Sequence, residues 1–217
     1  MSTKFKSNIA GGSTDAILAS MFKGMLNTLG VDPMRLDSLV NRFINVHLSV
    51  EDRAKLGIRS GIIKDLLEDS ITWKTFLIGL KILRTKEVTI HLRLTHYNRM
   101  RTEHSYTFDI SEANDPVNYG IVLSGFYKEI VEYLGFTEAK ANNLLKAYIV
   151  KNSLLVGSKT ESSIRGSIKK ELSTNKMTWR VFIKGLIVLG VINMDLGFTL
   201  RHMDDTFSEH KRSIKFS

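Results

Sequence analysis

"ITWKTFLIGLKIL", starting at residue 71, returns as "MTWRVFIKGLIVL" at residue 177, an offset of 106. The offset holds well beyond the phrase. It aligns Ile58-Arg59 with Ile164-Arg165, Lys64 with Lys170, Trp73 with Trp179 and Phe76 with Phe182. Further on it aligns Gly79-Leu80 with Gly185-Leu186, His96 with His202, and Glu103-His104 with Glu209-His210. Upstream the offset becomes 105, pairing Leu29-Gly30 with Leu134-Gly135. The slip falls in the polar stretch 46–57, where a loop tolerates an insertion. Two copies are too few for a solenoid, whose period is about 20–50 residues. Each copy is instead near the size of a self-sufficient domain, roughly 100–150 residues. The chain therefore divides into a basic, flexible N-terminal tail (1–14), module one (15–110) and module two (111–217).

Within a module the hydrophobic period changes once. Ile17, Leu18, Met21, Phe22, Met25 and Leu26 recur at helical spacing over about 15–29, and Gly30 suits the helix C′ position. Asp32-Pro33 reads as N-cap plus first turn of a second helix carrying Leu36, Leu39, Val40, Phe43 and Ile44. In copy two these helices fall at about 121–134 and, behind a Thr137 cap, 138–150. A third helix is expected at about 58–68 (164–173), and a fourth at 72–83 (178–189) with Trp73, Phe76, Leu77, Leu80 and Leu83 as its apolar stripe. Gly79 and Gly185 sit in mid-helix, where glycine costs about 1 kcal/mol relative to alanine, so another element should approach the backbone there. The period then becomes two: Val88, Ile90, Leu92 and Leu94 alternate with polar residues, as do Met194, Leu196, Phe198 and Leu200. The fold class expected is α+β, two tandem copies of about four helices, each closed by a long β-hairpin.

Composition narrows the functional class. The 217 residues carry a net charge of +9, spread over both modules, and no cysteine. A balance this basic favours a polyanionic partner such as nucleic acid. Without cysteine there is neither thiol chemistry nor cysteine-ligated zinc, and a reducing compartment fits. The opening "MSTKFKSNIAGGSTD" lacks the apolar core of a signal peptide, and no stretch reaches the roughly 18 apolar residues of a membrane span. The expectation is a soluble, cytoplasmic protein (the host cytoplasm for a viral gene). None of the phosphate-loop, dinucleotide, zinc-protease or nucleophile-elbow motifs is present, so no enzymatic activity and no cofactor is expected.

A helix, a tight turn, a second amphipathic helix and a hairpin resemble the winged helix-turn-helix over 58–110 and 164–217. The resemblance implies that the helices at 72–83 and 178–189 take the recognition position, and that the loops at 97–103 and 203–209 are wing tips. Lys74 and Arg180 would then lie just inside the recognition helices, with Lys81 and Lys184 further along them. Arg99 and Arg101 would lie on the first tip, and Lys211 and Arg212 just past the second. Arg59, Arg165, Lys64 and Lys170 on the third helices are candidate phosphate contacts or solvated charges paired at helical spacing. Ile78 and Ile82 are expected towards the outer side of the helix, suggesting a protein contact. Trp73 and Trp179 are read as core, not base-stacking, residues.

His96 and His104 share a phase with the core-facing strand residues, as do His202 and His210. With Leu94 opposite Tyr106, each pair would be direct cross-strand neighbours about 5.5 Å apart. Zinc is a minor reading for these four, because the adjacent Glu103 and Glu209 point to the other face. The expected function is non-catalytic nucleic-acid binding, DNA over RNA, by a fused pair of modules that reproduces the two-site geometry of a repressor dimer. The alternative is an interaction or assembly protein, of viral or phage type, whose partner is a protein.

Overall fold

The computed structural model describes residues 7–9, 14–49, 57–110, 119–137, 140, 143 and 177–216. In chain order these form β1 (Ser7–Ile9), α1 (Thr14–Thr28), α2 (Pro33–His47), α3 (Ile58–Leu67), α4 (Trp73–Ile82), β2 (Thr85–His96), β3 (Arg101–Asp109), α5 (Tyr119–Tyr133), α6 (Trp179–Val188), β4 (Val191–His202) and β5 (Phe207–Phe216). The fold is α+β, with six helices among the described residues and one four-stranded antiparallel sheet. The short β1 adds parallel to one edge. The second and third helices expected in copy two lie outside the described residues.

Local signals set the helix ends. The Asp32 side chain accepts the Arg35 N–H at 2.8 Å ahead of Pro33, and Thr72 and Thr178 cap α4 and α6 through the N–H groups of Thr75 and Val181. Gly30 and Gly135 end α1 and α5 in the left-handed region, at φ 60° and 61°, as the C′ position requires. Thr137 accepts the Lys140 N–H, consistent with the cap expected there.

The hairpins do not stand apart. β2 pairs antiparallel with β4, giving the order β1-β5-β4-β2-β3. The pairing sets His91 opposite Gly197, Leu92 opposite Leu196 and Ile90 opposite Phe198. Under the 106-residue offset His91 and Gly197 are equivalent positions, so a pseudo-two-fold axis passes between them. The same axis runs through the helical layer, where the equivalent indoles of Trp73 and Trp179 stack at 5.8 Å and 14°. Phe76 and Phe182 extend the stack on either side, each 5.6 Å from its tryptophan. One continuous core draws on both copies, from Phe22 and Met25 to Phe198 and Leu200.

The central helices are enclosed accordingly. α4 buries Trp73, Phe76, Leu77, Gly79, Leu80 and Ile82, and α6 buries the corresponding set. Ile82, expected near the outer side, is buried and Ile78 half-buried, because helices and sheet cover α4 from opposite sides. The close approach expected at the mid-helix glycines is found. A Cβ on Gly79 would lie 2.5 Å from Phe22 Cε2, and one on Gly185 2.5 Å from Tyr127 Cε2. Gly79→Ala is therefore expected to destabilise the protein by about 1–3 kcal/mol, overpacking outweighing the gain in helix propensity. Chemical denaturation of the variant checks this, with Gly24→Ala, where the added Cβ meets open space, as the control.

Candidate functional site

The pseudo-dyad decides where the cations go. Because Trp73 and Trp179 open α4 and α6 and stack on each other, the N-terminal turns of these helices meet beside the axis. Lys74 and Arg180, one residue on, are both exposed there, and Lys74 has no ion-pair partner among the described residues. The start of α1 joins them: the Trp179 indole N–H donates to the Thr14 carbonyl at 3.0 Å, and the Ile71 N–H to that of Asp15. Three helix N-termini thus converge with two cations, and the partial positive charge of such termini adds to theirs. Asp15 is the nearby acid. Burial raises its pKa, and the charge of Arg180 pulls it partly back down.

The other nominated residues that the structure describes do not join this cluster. Arg59 is ion-paired with Asp37 of α2. Lys81 is half-buried; burial depresses its pKa, and its charge helps burial to lower that of His47 on α2. Lys64 is exposed on α3 and Lys184 half-buried on α6, while Arg165 and Lys170 lie outside the described residues. Arg99 occupies the left-handed region (φ 66°) at the first hairpin tip, as Asp205 does (φ 59°) at the second. The tips are tighter than the loops expected, so Arg101 already belongs to β3. Lys211 bonds Glu209 at 3.0 Å. Arg212, opposite Leu196, falls on the helix-facing side of β5, where burial lowers its pKa.

The outer face of the sheet carries charges of both signs. A groove of about 550 Å³ crosses it at the dyad, lined by His91, Arg93, Glu103, Asp195, Glu209 and Lys211 among others. Arg93 bonds Glu103 at 2.7 Å, and the His91 ring bonds Thr199 at 3.0 Å. Cations and carboxylates alternate here, so this face offers a polyanion little net attraction.

The histidines form a duplicated relay. β2 and β3 pair with Leu94 opposite Thr102 and Leu92 opposite His104, so His96 and His104 are not direct neighbours. The threonine between them in space bridges them. His96 Nδ1 lies 3.1 Å from the Leu189 carbonyl and must donate to it. Its Nε2 then accepts from the Thr102 hydroxyl (3.4 Å), whose oxygen accepts from His104 Nε2 at 2.9 Å. His202, Ser208 and His210 repeat the chain, ending on the Leu83 carbonyl at 3.2 Å. Each hairpin is thereby fastened to the helix–strand turn of the other half, as the Tyr97 N–H to Gly190 and Met203 N–H to Arg84 bonds also show. Among the described residues no three histidines, aspartates or glutamates are grouped to hold a metal. Thr102 and Ser208 escaped the sequence reading, although T-x-H and S-x-H recur at the repeat offset.

In each relay the inner histidine must accept through Nε2, and burial of the outer histidine gives the fold a pH dependence. Burial, and then the neighbouring imidazole, lower the pKa of His104 and of His210. An unfolded histidine titrates near 6.5, so just below that pH the unfolded chain binds more protons than the folded one. The contribution is whole above about pH 6.5 and is lost as pH falls towards the folded values. Denaturation midpoints are expected to drop from pH 7.5 to pH 5, with a shallower drop in His104→Gln/His210→Gln. Thr102→Val, which strands two ring nitrogens, is expected to cost about 1–3 kcal/mol at neutral pH.

No family model, no curated protein and no solved structure matches the chain.

Proposed function

We propose that the protein binds nucleic acid without catalysis, duplex DNA in preference to RNA, and that Lys74 and Arg180 lead its phosphate contacts. The observation that carries this reading is their exposure on either side of the pseudo-dyad, at converging helix N-termini, in a chain of net charge +9. Backbone amides and cations at helix starts are common phosphate partners. A two-fold pair of such contacts suits the two antiparallel strands of a duplex. The order of helices and hairpin over 58–110 supports reading the first half as winged-helix-like, and the repeat extends that reading to the second. With α4 and α6 enclosed in the core, the reading excludes a recognition helix laid into the groove and assigns affinity mainly to the phosphate backbone.

A second reading, a protein-interaction or assembly module, is favoured by the exposed apolar residues at the hairpin tips, the dyad-related Tyr97 and Met203 together with Phe207. Fluorescence anisotropy of labelled duplex DNA, single-stranded DNA and RNA over a salt series separates the two. The nucleic-acid reading expects micromolar or tighter duplex binding that weakens steeply with salt. Lys74→Ala/Arg180→Ala should make the log K against log salt slope shallower by about 2. Absence of binding at low salt, or an unchanged slope in the double variant, refutes it and leaves the protein partner.

A further inference from the structure

The two edges of the sheet are treated differently. β5 is covered along Ile214–Phe216 by β1, whereas β3 pairs only with β2 among the described residues. Natural edge strands are usually blunted by proline, charged side chains, a bulge, brevity or a covering helix or loop. Of these β3 carries the charges of Arg101, Glu103 and Asp109. β3 is nine residues long, reads "RTEHSYTFD", and shows no register shift against β2. Its hydrogen-bonding phase is fixed by the His96 N–H to Met100 and Ile110 N–H to Lys86 bonds at its two ends. Even-numbered residues thus turn their backbone groups to β2, and by antiparallel alternation Glu103, Ser105 and Thr107 turn theirs to the open side.

We propose that this edge pairs antiparallel with the same edge of a second copy of the chain, about a two-fold axis at Ser105. In that register Ser105 meets itself, His104 meets Tyr106, Glu103 meets Thr107, Thr102 meets Phe108, and Arg101 meets Asp109 twice. No like charges face each other, and opposite charges directly across strands stabilise a sheet. The equivalent register on β5 would set Lys211 against itself and His210 against Arg212, so the complementarity of β3 is not repeated there. Tyr133 of α5, 68% exposed, leans edge-on against the His104 ring at 5.0 Å, beneath the open edge where a second copy would cover it. The isologous contact uses up the β3 edges of both copies, and with β1 over Ile214–Phe216 and like charges opposed in the equivalent β5 register, the assembly closes at two chains. β2 and β4 already make this kind of join within the chain, with equivalent residues opposed across a dyad.

Sedimentation velocity on the full chain over a concentration series tests the proposal. The expected species has twice the 24.6 kDa chain mass. Ser105→Pro removes an outward N–H without taking a bond from β2 and is expected to yield monomer. Arg101→Asp and Asp109→Arg singly set like charges opposite each other and should raise the dissociation constant about tenfold. The two together restore opposite charges and should recover the dimer. Circular dichroism of each variant separates dissociation from misfolding, and the charge exchange carries the test should Ser105→Pro fail to fold. A monomer at every concentration up to the solubility limit, or a dimer indifferent to the variants, overturns the proposal.

Discussion

The join between β2 and β4 is the constraint on which the rest of the molecule depends. Each strand is amphipathic and twelve residues long, and each would be an exposed edge if its hairpin stood alone. Pairing them removes both edges from solvent and turns two half-sheets into one. Their apolar faces then form a single floor for helices from both copies. The tryptophan stack belongs to the same event: once the sheet halves meet about the dyad, the first turns of α4 and α6 are brought together, and Trp73 is buried between Phe76 and Trp179. The histidine relays secure the ends of this join, each reaching from one half's hairpin to the other half's helix terminus.

Enclosure of the repeated helix redirects the functional question. A helix buried on the faces given by Trp73, Phe76, Leu77, Leu80 and Ile82 has little left to show a partner beyond its first turn. What the duplication leaves on the surface is therefore two-fold in character: paired cations beside the axis on the helical side, paired apolar tips at the sheet ends, and a charge-balanced groove across the middle. The first set supports a nucleic-acid reading and the second a protein contact. The uncapped β3 edge adds a third surface, whose complement is present in its own sequence.

Much of this was legible in the residues, and what was not has a common cause. Caps, C′ glycines, strand phase, the close approach at Gly79 and Gly185 and the burial of both tryptophans are local or repeat-borne signals, and the structure bears them out. The β2–β4 pairing is non-local, and a period of two reads the same for an edge strand as for a central one. One residue marks the join: Gly197 interrupts the alternation where the copies meet, and a Cβ there would come within 3.4 Å of His91 Cβ. The hairpin register was misread because Arg99 and Asp205 adopt the left-handed conformation that usually announces itself as glycine or asparagine. That shift changed a histidine pair into a histidine–hydroxyl–histidine relay. Arg212 shows a related limit, since being near a tip in sequence says less than strand phase about which face a side chain takes.

The most direct test of the join is exciton-coupled circular dichroism of the two indoles in the far ultraviolet, since these are the only tryptophans in the chain. Stacked across the dyad, they should give a bisignate couplet that disappears completely in Trp73→Phe and equally in Trp179→Phe, because each ring needs the other. A spectrum without a couplet, or single variants that each remove half of the signal, would mean that the two copies do not meet at their equivalent tryptophans.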